Sequence, residues 1–156
     1  VYGIAKLSST LYCNHISAKE NKNIGTIRLF SVYGDYEEKG RLIPTLFINS
    51  LNGENVKLGN PAAVRDFVYI DDVVEAYISI LKNPEKIKGK IFNISSGNQI
   101  SIGEISEKVK SILNSSCFLD FGNLSGRTFD STTWLGDSSL FRETFNWTPK
   151  KIDEGL

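Results

Sequence analysis

Tyr2 and Lys6 stand four residues apart at the start of the chain, a spacing that stacks two side chains on the same face of a helix. A phenol held beside an ammonium can work as a general base. To do so near neutral pH, a tyrosine must fall from a pKa near 10 to about 7, which costs roughly 4 kcal/mol. An ammonium about 4 Å away contributes around that amount at an effective dielectric of about 20. The pair is therefore chemically sufficient, but its spacing is not specific. With six tyrosines and 13 lysines in 156 residues, about half a chance match is expected.

Other elements must hold such a pair in place. Strand-like and helix-like segments alternate along the chain, which predicts an α/β architecture. Residues 2 to about 22 read as a long helix carrying Ile4, Ala5, Leu7, Leu11 and Ile16, and "IGTIRLFSV" reads as one buried strand. A helix over "RLIPTLFINSLNG" is entered through Pro44 and closed by Gly53. "NVKLG" and "RDFVYI" are short β-rich runs, followed by a helix over "DDVVEAYISILKN" with Val73, Ala76, Tyr77, Ile80 and Leu81 on one stripe. Asp71 and Asp72 suit the start of that helix, where carboxylates meet unpaired N–H groups and the positive end of the dipole. "KIFNISSG" is a further apolar strand. Ser101 three residues before Glu104 has the spacing of a capping box, and Ile105, Val109 and Ile112 continue at helical period. The pattern weakens after "SCFLDFG", with a short helix from about Ser138.

Composition narrows the partners. Lys plus Arg and Asp plus Glu are both 18, and no run of like charge marks a nucleic-acid or polybasic membrane surface. Cys13 and Cys117 are far apart and His15 is the sole histidine, so zinc chemistry lacks ligands; packing and surface roles are the readings for these residues. No apolar run approaches a membrane span, and no signal pattern opens the chain, so the cytoplasm is the expected compartment. The glycines never fall in a G-x-G-x-x-G pattern, so the phosphate-cradling turn of a dinucleotide fold is not found.

"YGIAK", "IRLFSVYG", "RLIP", "VRDFVYIDDVVEAY" and "FNISSG" follow one another in that order. Together they closely resemble the catalytic and substrate-binding portion of the extended short-chain dehydrogenases, specifically the NAD-dependent nucleotide-sugar epimerases and dehydratases. The resemblance runs from Val1 to nearly Leu156. It implies the C-terminal portion of a Rossmann-type parallel sheet plus a smaller α/β substrate-binding domain. In that arrangement residues 1–34 carry the catalytic helix and following strand, 35–156 form mainly the substrate-binding domain, and 65–97 partly return to the nucleotide-binding sheet. The dinucleotide-binding half of the family is expected to precede Tyr2 and to be absent here, a view the lack of any methionine also favours.

The same resemblance implies that Tyr2 accepts a sugar hydroxyl proton while hydride passes to NAD, with NADP as an alternative, and that Lys6 also holds the nicotinamide ribose. Ser31 stands where the family usually has Asn, and Leu42, Ile43 and Pro44 resemble the wall against which the nucleotide base packs. Arg65 resembles an arginine that grips the diphosphate, work suited to a rigid guanidinium fork; an ion pair with Asp66 or Asp71 is the plain alternative. Arg127 resembles a second diphosphate arginine, ten residues before Asp137. Asp130 follows Phe129 where the family usually has Gly. Trp134 reads equally as a sugar-pocket wall or local core. The expected substrate is a nucleotide-diphosphate sugar, and the expected assembly is a homodimer through the first helix. A noncatalytic binding or dimerising remnant is the alternative, and the fragment alone is expected to be inactive.

Overall fold

The computed structural model describes residues 1–122 and 132–156. Helix α1 spans Tyr2–Lys19, a turn short of the expected end. The chain leaves it because Asn21 takes a left-handed conformation (φ 55°), which asparagine tolerates, while Ser17 Oγ donates to the Lys22 carbonyl at 2.8 Å.

The apolar run after α1 is not one strand but two. Strand β1 (Thr26–Leu29) and β2 (Ser31–Tyr33) are separated at Phe30. There the Val32 N–H turns back to the Phe30 carbonyl at 2.9 Å, while the Phe30 N–H reaches Ile94 at 3.0 Å. Helix α2 (Leu42–Asn52) has Pro44 in its first turn and ends at Gly53 with φ 69°, as a glycine C-cap should. Strands β3 (Val56–Leu58) and β4 (Val64–Tyr69) follow, then α3 (Ile70–Lys82) and a short 3-10 turn over Pro84–Ile87. Strands β5 (Ile91–Ile94) and β6 (Gln99–Ser101) lead to α4 (Ile102–Ile112). Both capping-box bonds of α4 form: Glu104 N–H donates to Ser101 Oγ at 3.1 Å, and Ser101 N–H to Glu104 Oε2 at 2.9 Å. Strand β7 (Leu119–Phe121) and helices α5 (Ser139–Phe145) and α6 (Ile152–Gly155) complete the described elements.

Pairing is parallel in β1 with β5, β2 with β4 and β3 with β7; β4 also pairs antiparallel with β6. Side chains alternate across a strand, so β2 and β4 divide two cores. Val32 and Val68 face one, with Phe92, Ile94, Phe141 and Trp147 and the α3 residues Val73, Ala76 and Ile80. Tyr33 and Phe67 face the other, with Leu46, Val56, Leu58, Ile105 and Val109. The expected α3 stripe is narrower than the pattern suggested. Tyr77 and Leu81 are exposed, because each lies about 100° around the helix from its buried neighbour.

Candidate active site

Helix α1 touches the rest of the protein along a thin line. Only Thr10 and Ser17, two turns apart, are buried. The face bearing Tyr2, Lys6, Thr10 and Cys13 looks across an open groove of about 760 Å³ to Thr26, Ile27, Arg28 and Leu29 on β1. Tyr2 and Lys6 sit one turn apart as expected, with Lys6 Nζ 5.4 Å from the centre of the Tyr2 ring. Two buried side-chain oxygens in this part of the fold, Asn14 Oδ1 and Thr26 Oγ1, have no hydrogen-bond partner among the described residues. Buried polar atoms normally find partners, so the Thr26 hydroxyl is an orphaned polar group in a residue of the groove wall. His15 is exposed, and both cysteines are free thiols.

Arg65 lies on β4, two residues before Phe67, the register partner of Ser31 on β2. Its guanidinium carbon stands 5.3 Å from the centre of the Trp134 ring, a cation–π distance, and its Nη1 donates to the Val64 carbonyl at 2.6 Å. Trp134 is in turn tethered, its N–H donating to Gln99 Oε1 at 3.0 Å. The groove lining includes none of Ser31, Leu42, Ile43, Pro44 and Arg65. Ile43 is buried in the second core, Leu42 packs against it, and Ser31 and Pro44 are half-buried. Arg127 and Asp130 lie outside the described residues.

Two carboxylates have more to do than sequence reasoning assigned. Asp66 is fully buried. Its Oδ1 accepts from the Ser96 N–H at 2.8 Å and the Ser96 hydroxyl at 2.7 Å, and its Oδ2 from Gly97 N–H at 3.1 Å and Gly136 N–H at 2.9 Å. Asp72 is also buried. Rather than capping its own helix, its Oδ2 accepts the Lys150 N–H at 2.9 Å, while its carbonyl accepts Trp147 Nε1–H at 3.0 Å. Burial raises the Asp72 carboxyl above its ordinary range. Burial likewise raises the Tyr33 phenol, which donates to the Ile152 carbonyl at 3.2 Å, whereas the Ser139 hydrogen bond lowers the exposed Asp137 carboxyl. A charged residue on the inward side of an apolar strand, as in "RDFVY", was the available signal for Asp66, since such a group must be paired when buried.

No group of metal-ligating side chains and no helix able to cross a membrane occurs among the described residues. Parallel strand pairs with intervening helices, and a Tyr-x-x-x-Lys helix beside the first of those strands, define a Rossmann-type α/β protein. The model of the NAD dependent epimerase/dehydratase family matches residues 1–95, and the chain belongs to that family. It is 33% identical over 131 residues to CDP-abequose synthase of Salmonella muenchen, covering 83% of this chain and 44% of that protein. The structure of UDP-glucuronic acid 4-epimerase from Bacillus cereus in complex with UDP-glucuronic acid and NAD superposes with a TM-score of 0.87 at 25% identity, covering 99% of this chain and 49% of that one. UDP-glucose 4-epimerase from Thermotoga maritima, solved with UDP-glucose, gives a TM-score of 0.86 at 26% identity, over 99% of this chain and 50% of that one. The chain thus spans about half the length of the relatives it matches.

Proposed function

We propose that this chain supplies the catalytic helix and most of the substrate-binding part of an enzyme acting on a nucleotide-diphosphate sugar. The observation that carries this reading is the Tyr2 and Lys6 pair on the wall of the α1–β1 groove, in a chain of this family. Tyr2 takes the proton from a sugar hydroxyl, and Lys6 sets positive charge next to the oxygen on which negative charge collects. NAD, or alternatively NADP, supplies the hydride acceptor when bound. Lys6 would hold its nicotinamide ribose, while the phosphate-cradling glycine turn would come from the half of the relatives that this chain does not span. Oxidation at the sugar C4 then leads to epimerisation, dehydration or reduction.

On the substrate side, Arg65 and Arg127 hold the diphosphate, and Ser31, Leu42, Ile43, Pro44 and Asp130 contribute to the sugar and base subsites. Residues 1–34 then belong to the nucleotide-binding domain and 35–156 mainly to the substrate domain, with 65–97 partly returning to the nucleotide-binding sheet. The outward face of α1 exposes Ile4, Leu11 and Tyr12, which suits pairing with the same helix of a second copy in the cytoplasm. To test the assignment, the full-length polypeptide carrying this chain is mixed with NAD or NADP and, in turn, the UDP-, dTDP-, CDP-, ADP- and GDP-sugars. Conversion of at least one is expected, and no conversion or binding of any would overturn it.

A further inference from the structure

Asp66 is an acid placed in the interior with four donors around one carboxylate. Three are backbone N–H groups from two separate stretches, the turn after β5 and the segment before α5. Both glycines involved are needed for the approach. Gly97 has φ +75°, and a Cβ at Gly136 would lie 2.4 Å from Ser95 Cβ and 2.8 Å from the Phe30 ring. The carboxylate therefore ties the 132–137 segment down at Gly136. Two residues earlier in that segment, Trp134 lies over Arg65, the neighbour of Asp66 on β4. A second tether runs from the Trp134 N–H to Gln99, which is the register partner of Asp66 across β4 and β6. Arg65, Asp66, Gln99, Trp134 and Gly136 thus form a closed ring of contacts.

We propose that Asp66 is a positioning residue for Arg65, acting through Gly136 and Trp134 to hold the guanidinium ready for the substrate diphosphate. The inference rests on the functional reading above. Its physical basis is preorganisation: an arginine loses much rotamer freedom when it grips a ligand, and stacking on a docked tryptophan takes that loss at folding instead of at binding.

The test is a double-mutant cycle in the full-length polypeptide, with UDP, dTDP, CDP, ADP and GDP as probes by calorimetry and amide exchange of the 132–138 segment alongside. Asp66→Asn and Trp134→Ala should each weaken the tightest diphosphate about tenfold, and the double variant should also lose about tenfold instead of about a hundredfold, because coupled residues are not additive. Trp134→Phe should restore most of the affinity, and Asp66→Asn alone should speed exchange at Gly136. Unchanged affinity in Trp134→Ala, or a multiplicative loss in the double variant, would overturn the proposal. If Asp66→Asn does not fold, Gln99→Ala removes the second tether and replaces it in the cycle, with the same outcomes deciding. Should the unaltered protein bind no diphosphate, the functional reading fails on its own. Exchange at Gly136 then decides the docking role, with acceleration by Asp66→Asn supporting it and no change overturning it.

Discussion

Along α1, Ile4, Leu7, Leu11 and Tyr12 are each more than half exposed, whereas the shorter α3 buries Val73, Ala76 and Ile80 against an aromatic core. The polar groups differ in the same sense. Asn14 Oδ1 on α1 and Thr26 Oγ1 in the groove wall lack partners among the described residues, while Asp66 in the interior accepts four hydrogen bonds, although Ser95 Oγ in that interior also lacks a partner there. The helix that carries the Tyr-Lys pair thus buries only Thr10 and Ser17 against the rest of the described protein. Regions that must meet ligands or other subunits are drawn from the less stable end of a fold. The stiff part, around β4, instead serves to aim a side chain.

Substitutions at matched apolar positions should break or sharpen this contrast. Phe92 is fully buried, with Phe141 and Phe145 rings centred 5.4 and 5.6 Å away. Phe92→Ala should cost about 3–5 kcal/mol in urea unfolding, while Leu11→Ala on α1 should stay within about 0.5 kcal/mol. Equal costs would remove the distinction. Gly136→Ala comes next, since its Cβ has no room beside Ser95 and Phe30; a loss of about 1–3 kcal/mol is expected.

A smaller effect is expected at Asp72 and should depend on pH. Its folded pKa is raised above the ordinary 3.8 by burial, so the folded protein holds the proton more tightly than the unfolded chain. That contribution is fully present below the unfolded pKa and is lost as pH rises through the folded one. Asp72→Asn, which keeps an acceptor for the Lys150 N–H, should flatten the stability profile across that acid window. An unaltered profile would show that Asp72 does not titrate there.

Locally determined features were legible from the sequence. Both bonds of the Ser101 and Glu104 capping box form, Gly53 closes α2, and Tyr2 and Lys6 share a helix face, because each depends only on residues within a turn or two. The break of one apolar run at Phe30 was not legible, since β1 and β2 choose partners in two distant strands. Nor were the tasks of Asp66 and Asp72, whose partners lie 30 to 78 residues away. The wall expected of Leu42, Ile43 and Pro44 looks uniform in sequence, yet burial separates Ile43 from its neighbours. Trp134 left two readings open. Its place over Arg65 depends on the tether to Gln99, 35 residues away.

The most direct measurement is single-turnover hydride transfer by the full-length polypeptide carrying Tyr2→Phe, at saturating nucleotide sugar. Phenylalanine keeps the ring and removes the oxygen that would accept the proton. The account predicts a fall of about 10²–10⁴-fold in rate with little change in nucleotide-sugar affinity; a rate equal to that of the unaltered enzyme would contradict it.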